Sequence, residues 1–148
     1  MRTIAFVGFS PNSEEAIGNI PDDVEIWTMN DAHDKEAITR FDRMFEIHSM
    51  KLLKDPKFKG DKYERHIEWL QANKDIPVYM HKQSTEYPAS VEYPLAKALE
   101  ITGGKKRFDS SFDYMAALAI IEKVDRVEVY GFEMDDYEHK HSISRRRS

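Results

Sequence analysis

The apolar runs and polar breaks of the first thirty residues follow the order of a βαβ unit. Thr3–Val7 is apolar on both faces, which is typical of a buried central strand in a parallel sheet. Residues 24–29 predict a second strand, and residues 14–17 between them predict a short helix capped by Asn12 or Ser13. Strand, glycine-containing loop, helix and strand together indicate an α/β fold.

Three further strands follow from runs of mostly apolar residues. They are predicted over residues 42–48, 76–80 and 127–130. Because Pro77 cannot donate a backbone hydrogen bond, the fourth strand is expected to start there or to lie at an edge of the sheet.

Two helices are predicted from hydrophobic periodicity. In residues 61–73 apolar positions recur at spacings of three and four, which places them on one face of a helix. Residues 113–123 are apolar nearly all round, and their small alanines allow close packing on a sheet. Ser110 or Ser111 is expected to cap this second helix.

Two other segments give less regular patterns. Residues 50–60 are rich in lysine and contain proline and glycine, which predicts a loop. Further along, Pro88 and Pro94 bracket candidate helix starts, and residues 95–99 could form a helix that ends at Gly103.

These elements predict a three-layer, Rossmann-like α/β domain with a mostly parallel five-stranded sheet and helices on both faces. With 148 residues, 41% of them hydrophobic, the chain has the size and apolar content of one domain with its own core. We expect a single nucleotide-binding-like domain over residues 1–138, followed by a basic carboxyl-terminal tail over residues 139–148.

The formal charge is uneven along the chain. The overall net charge is −5, yet the tail contains four basic residues and no acid, so the body is more acidic still. An acidic body argues against general nucleic-acid binding, because phosphate contacts supply most non-specific affinity. The run of three arginines, residues 145–147, could contact phosphates, but such a run is more often a solvated tail.

Several classes of protein are excluded by composition. No apolar run approaches the roughly 20 residues that span a bilayer, and Thr3–Val7 is too short for a secretory signal. The absence of cysteine excludes a disulfide scaffold, a cysteine zinc site and thiol catalysis. A cytoplasmic protein is therefore predicted.

The candidate binding site follows from strand order alone. In an open parallel sheet, ligands bind beyond the carboxyl ends of the strands. Small and polar residues recur after the predicted strands and before the last helix, as in a nucleotide or phosphate pocket: Gly8, Ser10, Asn12, Asn30, Ser110, Ser111, Gly131 and Glu133.

Each of these residues also has an ordinary structural interpretation. Gly8 allows the backbone to approach a ligand, but its loop is neither a dinucleotide-binding nor a Walker motif, and a plain tight turn fits equally well. Asn30 could simply complete a turn, and Ser110 and Ser111 could serve only as helix caps.

Histidine supplies the candidate acid–base groups. His48, at the end of the third predicted strand, and His139 are the candidate catalytic residues. No metal-ligand spacing links the six histidines, so no metal site is predicted. A divalent cation bridging a phosphate and the acids that begin at Glu133 stays open as an alternative.

Four ordered segments, about a quarter of the chain, resemble the bacterial sialyltransferases of glycosyltransferase family 42 and related small, often phage-borne, Rossmann-like proteins. The segments cover residues 3–13, 25–31, 109–120 and 127–134. The sequence departs from the family pattern at Phe9, where the family usually has asparagine, and at Glu133, where it has aspartate.

The resemblance implies a pocket for a cytidine nucleotide that needs no metal cofactor. Gly8 would face the phosphate, Asn30 the ribose-phosphate region, and Ser111 the carboxylate or phosphate of the donor. Gly131 and Glu133 would lie beside the base. The catalytic histidine of the family follows these motifs, and His139 and His141 are the residues here that could replace it.

Two functions are therefore expected as alternatives. The first is a nucleotide-binding protein that takes a CMP-sugar, acting as a glycosyltransferase if it is catalytic. The second is a non-catalytic phage or accessory protein that binds a nucleotide signal or a protein partner. A third alternative is a degraded or truncated domain that binds no ligand and is stabilised as a homo-oligomer.

Overall fold

Six parallel strands form one sheet in the computed structural model, which describes residues 1–10, 17–55, 57, 60–103, 108 and 110–132. Within these residues the sheet has the order β5-β4-β3-β2-β1-β6, and every neighbouring pair is parallel. The strands are β1 Thr3–Val7, β2 Glu25–Met29, β3 Arg43–Phe45, β4 Val78–Met80, β5 Ser90–Glu92 and β6 Arg126–Tyr130.

The helices lie on both faces of the sheet. The described part of the chain contains α1 Met50–Leu53, α2 Gly60–Ala72, α3 Leu95–Ile101, α4 Ser111–Ile121 and a 3-10 turn Ala32–Asp34. Leu53 of α1 and Leu70 of α2 belong to the core on one face, whereas Ala98 of α3 and Met115 of α4 belong to the core on the other. This arrangement confirms the predicted three-layer α/β architecture.

Strand β1 is an interior strand of the sheet, next to the edge strand β6, and it is buried on both faces as its apolar sequence predicts. It pairs with β2 on one side and with β6 on the other, and Ile4 to Val7 are at most 1% exposed. Ala5 and Val7 point to the core beneath α2, while Ile4 and Phe6 point to the core beneath α4. A strand buried on both faces needs apolar residues at every position.

The number of strands differs from the prediction, because the sheet has six strands rather than five. The additional strand, β5, contains only three residues, and Ser90 and Glu92 are polar. Ser90 is nevertheless buried, and its hydroxyl donates to the Ser84 carbonyl at 3.0 Å. A short polar strand gives no periodicity from which it could be recognised.

Two other sequence predictions need correction or completion. The predicted loop over residues 50–60 contains α1, where Ser49 Oγ accepts the backbone N–H of Leu52 at 3.1 Å. Pro77 lies directly before β4, so the first of its two expected placements holds. Strand β4 is not at an edge, because β5 pairs with it.

The start of α4 follows its predicted capping. Ser110 has an extended backbone at the N-cap, and its N–H donates to the carboxylate of Asp113 at 3.2 Å. The predicted cap of the first helix at Asn12 or Ser13, and the basic tail over residues 139–148, lie outside the described residues. None of the described helices is long and apolar enough to cross a membrane.

Candidate functional site

A cleft of about 410 Å³ opens at the carboxyl edge of the sheet, where β2 and β3 end and α4 begins. Three separate parts of the sequence contribute its walls. The described residues that line it are Met29, Asn30, Ile47, His48, Phe108, Ser110, Ser111 and Tyr114. Four of the predicted site residues, Asn30, His48, Ser110 and Ser111, therefore lie around one space.

One wall of the cleft is aromatic. The rings of Phe108 and Tyr114 pack edge to face with centroids 5.0 Å apart, and Tyr114 packs in the same way on Tyr93. The Tyr93 hydroxyl donates to the Tyr114 carbonyl at 2.7 Å, so Tyr93 is held against α4 next to this wall. Apolar walls with a few polar groups are typical of small-molecule sites.

Asn30 occupies a strained position at the end of β2. Its φ is +51°, in the left-handed region that asparagine tolerates better than most residues. The backbone N–H of Asn30 donates to the Phe45 carbonyl at 2.9 Å, which ties this turn to β3. The side-chain Oδ1 is buried and has no hydrogen-bond partner among the described residues. A ligand donor could satisfy this oxygen.

The amino terminus of α4 forms the opposite rim. The first backbone N–H groups of an 11-residue helix attract an anion, because they lack partners within the helix and lie at the positive end of its dipole. Asp113, however, is buried in the first turn and already accepts the N–H of Ser110. An anion at this rim would therefore bind more tightly if a further positive group faced it.

His48 is held at the cleft by a buried carboxylate. Its Nδ1 lies 2.5 Å from Oε2 of Glu46, and its backbone N–H donates to the same oxygen at 3.2 Å. Glu46 is 1% exposed, so this carboxylate lies inside the protein while His48 reaches the cleft.

The second oxygen of Glu46 extends the chain of hydrogen bonds away from the cleft. Oε1 lies 2.6 Å from Nε2 of His66, and His66 Nδ1 lies 2.8 Å from Nε2 of His33. The His33 ring also stacks on Trp69 with centroids 4.4 Å apart. We call these four residues, His33, Glu46, His48 and His66, the histidine chain.

The charge state of the histidine chain follows from the burial and the hydrogen-bond partners of its residues. Burial raises the pKa of Glu46, but hydrogen bonds from His48 and His66 outweigh burial and lower this pKa to about 2. Burial lowers the pKa of His33 to about 4, and neighbouring His66 adds to this effect. At neutral pH the chain therefore contains an ionised Glu46 and a neutral His33.

An ionised carboxylate only accepts hydrogen bonds, so it fixes the protons of its partners. His48 must donate from Nδ1 and His66 from Nε2. When His66 is neutral, its Nδ1 is an acceptor and His33 donates to it from Nε2. When His48 is neutral, its lone pair is on Nε2, so this nitrogen can accept a proton, and the protonated ring can later return it.

Gly8, Ser10 and Gly131 lie at the same edge of the sheet but do not line the cleft among the described residues. The Gly8 N–H donates to the Tyr130 carbonyl at 2.8 Å, and the Ser10 N–H donates to the Gly131 carbonyl at 2.7 Å. A Cβ on Gly8 would lie 2.5 Å from the Gly131 oxygen. Close approach of two loops therefore requires a glycine at this position.

Three predicted site residues, Asn12, Glu133 and His139, lie outside the described residues. Sequence reasoning missed Glu46, His66 and His33. The one available signal was the spacing of Glu46 and His48, because residues two apart along an extended segment lie on the same side.

A second concavity, of about 530 Å³, lies beside α2 on the other face of the sheet. Its described lining residues include three carboxylates and one lysine, Lys54, which pairs with one of these carboxylates at 2.9 Å. The surplus of acidic groups is unfavourable for an anion. The cleft at the carboxyl edge is therefore the candidate site.

Within the described residues, no group of three or more acidic or histidine side chains is arranged to hold a metal ion. Comparisons with protein-family models, with curated proteins and with solved structures gave no match to this chain.

Proposed function

We propose that the cleft binds a nucleotide-type small molecule. The observation that carries this proposal is the convergence of Asn30, His48 and Ser111, from three separate segments, on one cleft beside an aromatic wall. The wall of Phe108 and Tyr114 offers a surface for a base, and the start of α4 offers N–H groups for a phosphate.

The size and place of the cleft support the same class of ligand. About 410 Å³ falls within the roughly 300–1,000 Å³ that small-molecule pockets occupy. The carboxyl edge of an open parallel sheet is also where this architecture generally binds nucleotides.

The resemblance to the family 42 sialyltransferases makes a cytidine nucleotide or a CMP-sugar the first ligand to examine. In this proposal Ser111 and Asn30 lie beside the phosphate. If the protein transfers a sugar, the N–H groups at the start of α4 stabilise the departing phosphate and His48 moves the proton.

A second candidate, binding without transfer, is favoured by the loop after β1. Gly8 and Ser10 are hydrogen-bonded to the loop after β6, and Phe9 lies beneath the ammonium group of Lys35 at 5.1 Å. Phe9 puts an apolar ring where the sialyltransferases that the sequence resembles usually have an asparagine in the phosphate loop. Transfer would therefore depend on groups other than this side chain.

Titration calorimetry with CMP, UMP, AMP and GMP tests the proposal. We expect saturable binding of at least one nucleotide at up to millimolar concentration. Ser111→Asp should reduce its affinity by at least tenfold, because an acid at a helix start favours the helix but repels a phosphate.

Lys74→Gln is the matched control for this experiment. It changes the net charge by the same amount at an exposed position next to the amino end of β4, at the opposite edge of the sheet. Equal losses in the two variants, or no binding of any of the four nucleotides, would overturn the proposal. Incubation with a CMP-sugar and glycan acceptors separates the two candidates, because a pure binder returns the ligand unchanged.

A further inference from the structure

His48 has a distinctive place among the residues of the cleft. Among the described lining residues it has the only side chain that can carry a positive charge. The start of α4 supplies partial positive charge, but buried Asp113 lies in its first turn. Within the described lining of the cleft, a full positive charge facing a bound anion would come from a proton on His48.

The histidine chain directs an added proton towards the cleft. Its three imidazoles depend on one carboxylate, so a second positive charge among them would be repelled by the first. The side chain of His66 is 6% exposed, whereas that of His48 is 29% exposed and therefore better solvated when charged. Burial also opposes a charge on His33.

We propose that an anionic ligand enters the cleft together with a proton that binds His48, and that Glu46 is the positioning residue that makes this uptake favourable. This inference rests on the proposed function. In the bound state His48 Nε2–H donates to an anionic oxygen of the ligand, while Nδ1–H donates to the Glu46 carboxylate. Charge-assisted bonds then lie on both sides of one ring.

Other ionisable groups lie near the histidine chain and contribute to the electrostatic potential around it. Asp34 pairs with Arg65 at 3.0 Å, so these two charges largely cancel. Tyr114 faces the cleft from α4, and burial raises its pKa, so it stays neutral near pH 7. Among the described residues, the ionisable groups that face the histidine chain or the cleft beside it come from several elements: Glu46 from the end of β3, Tyr63, Arg65 and His66 from α2, His33, Asp31 and Asp34 from the turn after β2, Tyr87 from the segment before β5, and Tyr114 and Asp113 from α4.

The first experiment needs no ligand. Nitrogen-15 NMR of the histidine rings at pH 8 should show His48 protonated at Nδ1 and His66 protonated at Nε2. Glu46→Gln should move His48 away from the Nδ1–H form, because an amide offers one acceptor oxygen where the carboxylate offers two. A His48 ring protonated at Nε2 in the unaltered protein would overturn the assignment of Glu46.

The second experiment counts protons during binding. Calorimetry with CMP at pH 7.5, in buffers of different ionisation enthalpy, should show net proton uptake of up to one per ligand. Because a proton is taken up with the ligand, the affinity should weaken by up to tenfold per pH unit as the pH rises. His48→Gln should abolish both the uptake and this pH dependence, and should weaken binding by about tenfold.

His81→Gln is the matched control. His81 packs on the outer side of Tyr114 at 6.0 Å between ring centroids, and it does not line the cleft. The variant should keep the proton uptake. Binding without uptake, or uptake that persists in His48→Gln, would overturn the inference and leave the proposed function standing. Failure of every nucleotide to bind would overturn both.

Discussion

The two edges of the sheet hold two clusters of charged side chains that differ in composition. At the amino edge, two arginines and two glutamates form a balanced set: Arg2, Glu25, Arg43 and Glu122. At the carboxyl edge, the histidine chain contains three imidazoles and one carboxylate, which are joined in series by hydrogen bonds. The first set has a fixed charge near neutral pH, whereas the second can exchange protons.

The amino-edge cluster is a structural link between strands and helix. Arg43 bonds to Glu25 at 2.8 Å and to Glu122 at 2.6 Å, so it joins β2, β3 and the end of α4. Its guanidinium also lies 4.8 Å from the Trp27 ring centroid. Burial opposes the charge on Arg43, but the bond to Glu122 and the electrostatic interactions with Tyr79, Glu25 and Glu122 together outweigh burial and raise the Arg43 pKa above its ordinary value.

This difference shows which of the two clusters can exchange protons near neutral pH. An arginine–carboxylate set keeps a constant charge near neutral pH, because arginine does not titrate there and its bonds favour the ionised form of a carboxylate. The pKa of Glu122, for example, is lowered: burial opposes this shift, and bonds from Arg43 and Arg2 outweigh burial. Of these two clusters, the one that can exchange protons near neutrality is the histidine chain at the carboxyl edge, beside the cleft.

The largest effect is expected when the shared carboxylate is removed. Glu46→Ala leaves His66 buried without its acceptor and leaves a cavity beneath the cleft. The free energy of unfolding should fall by about 3–5 kcal/mol, as for other broken buried ionic networks. Urea denaturation measures this loss, and a loss below 1 kcal/mol would show that the histidine chain contributes little to the fold.

A smaller loss is expected at the amino edge. Arg43→Met keeps a long apolar chain against Trp27 but leaves Glu25 and Glu122 with Arg2 as their remaining arginine partner. Stability should decrease by about 2 kcal/mol. The tautomer of His48 and the affinity for any cleft ligand should not change. A shift in either property would mean that the two edges are coupled.

The smallest effect is a slope of stability with pH. Because the pKa of His33 is about 4 in the folded protein and 6.5 unfolded, the unfolded chain binds more protons between these values. The contribution is fully present above pH 6.5 and is lost as the pH falls towards 4. The slope should be less than about 1.4 kcal/mol per pH unit, since His33 is only partly buried.

His33→Gln should flatten this slope, whereas Arg43→Met should leave it unchanged. Denaturation midpoints collected from pH 7 to pH 4.5 distinguish the two variants. An unaltered slope in His33→Gln would mean that the pH dependence of stability comes from other groups in the protein.

The sequence predicts the central architecture well because local pattern and burial agree there. Strand β1 is apolar at every buried position, and the N-cap of α4 is a serine, Ser110, with an acid three residues later. Strand β5 could not be predicted, because Ser90 is buried through a hydrogen bond with Ser84 rather than through an apolar pattern.

The site is predicted only in part. Asn30, His48 and Ser111 follow from the rule that polar residues beyond strand ends meet at one edge. The partners of His48 depend on tertiary packing, since His66 lies 20 residues from Glu46 and His33 lies 33 residues from His66. Gly8 was predicted from its loop, but the structure shows a backbone neighbour where its side chain would be.

A crystal structure of the protein grown with the tightest-binding nucleotide is the most direct test of the account. We predict that its phosphate lies within hydrogen-bonding distance of the first N–H groups of α4 and of His48, with the base against Phe108 and Tyr114. Density for the nucleotide beside α2, or over the loops that join Gly8 and Gly131, would contradict the account.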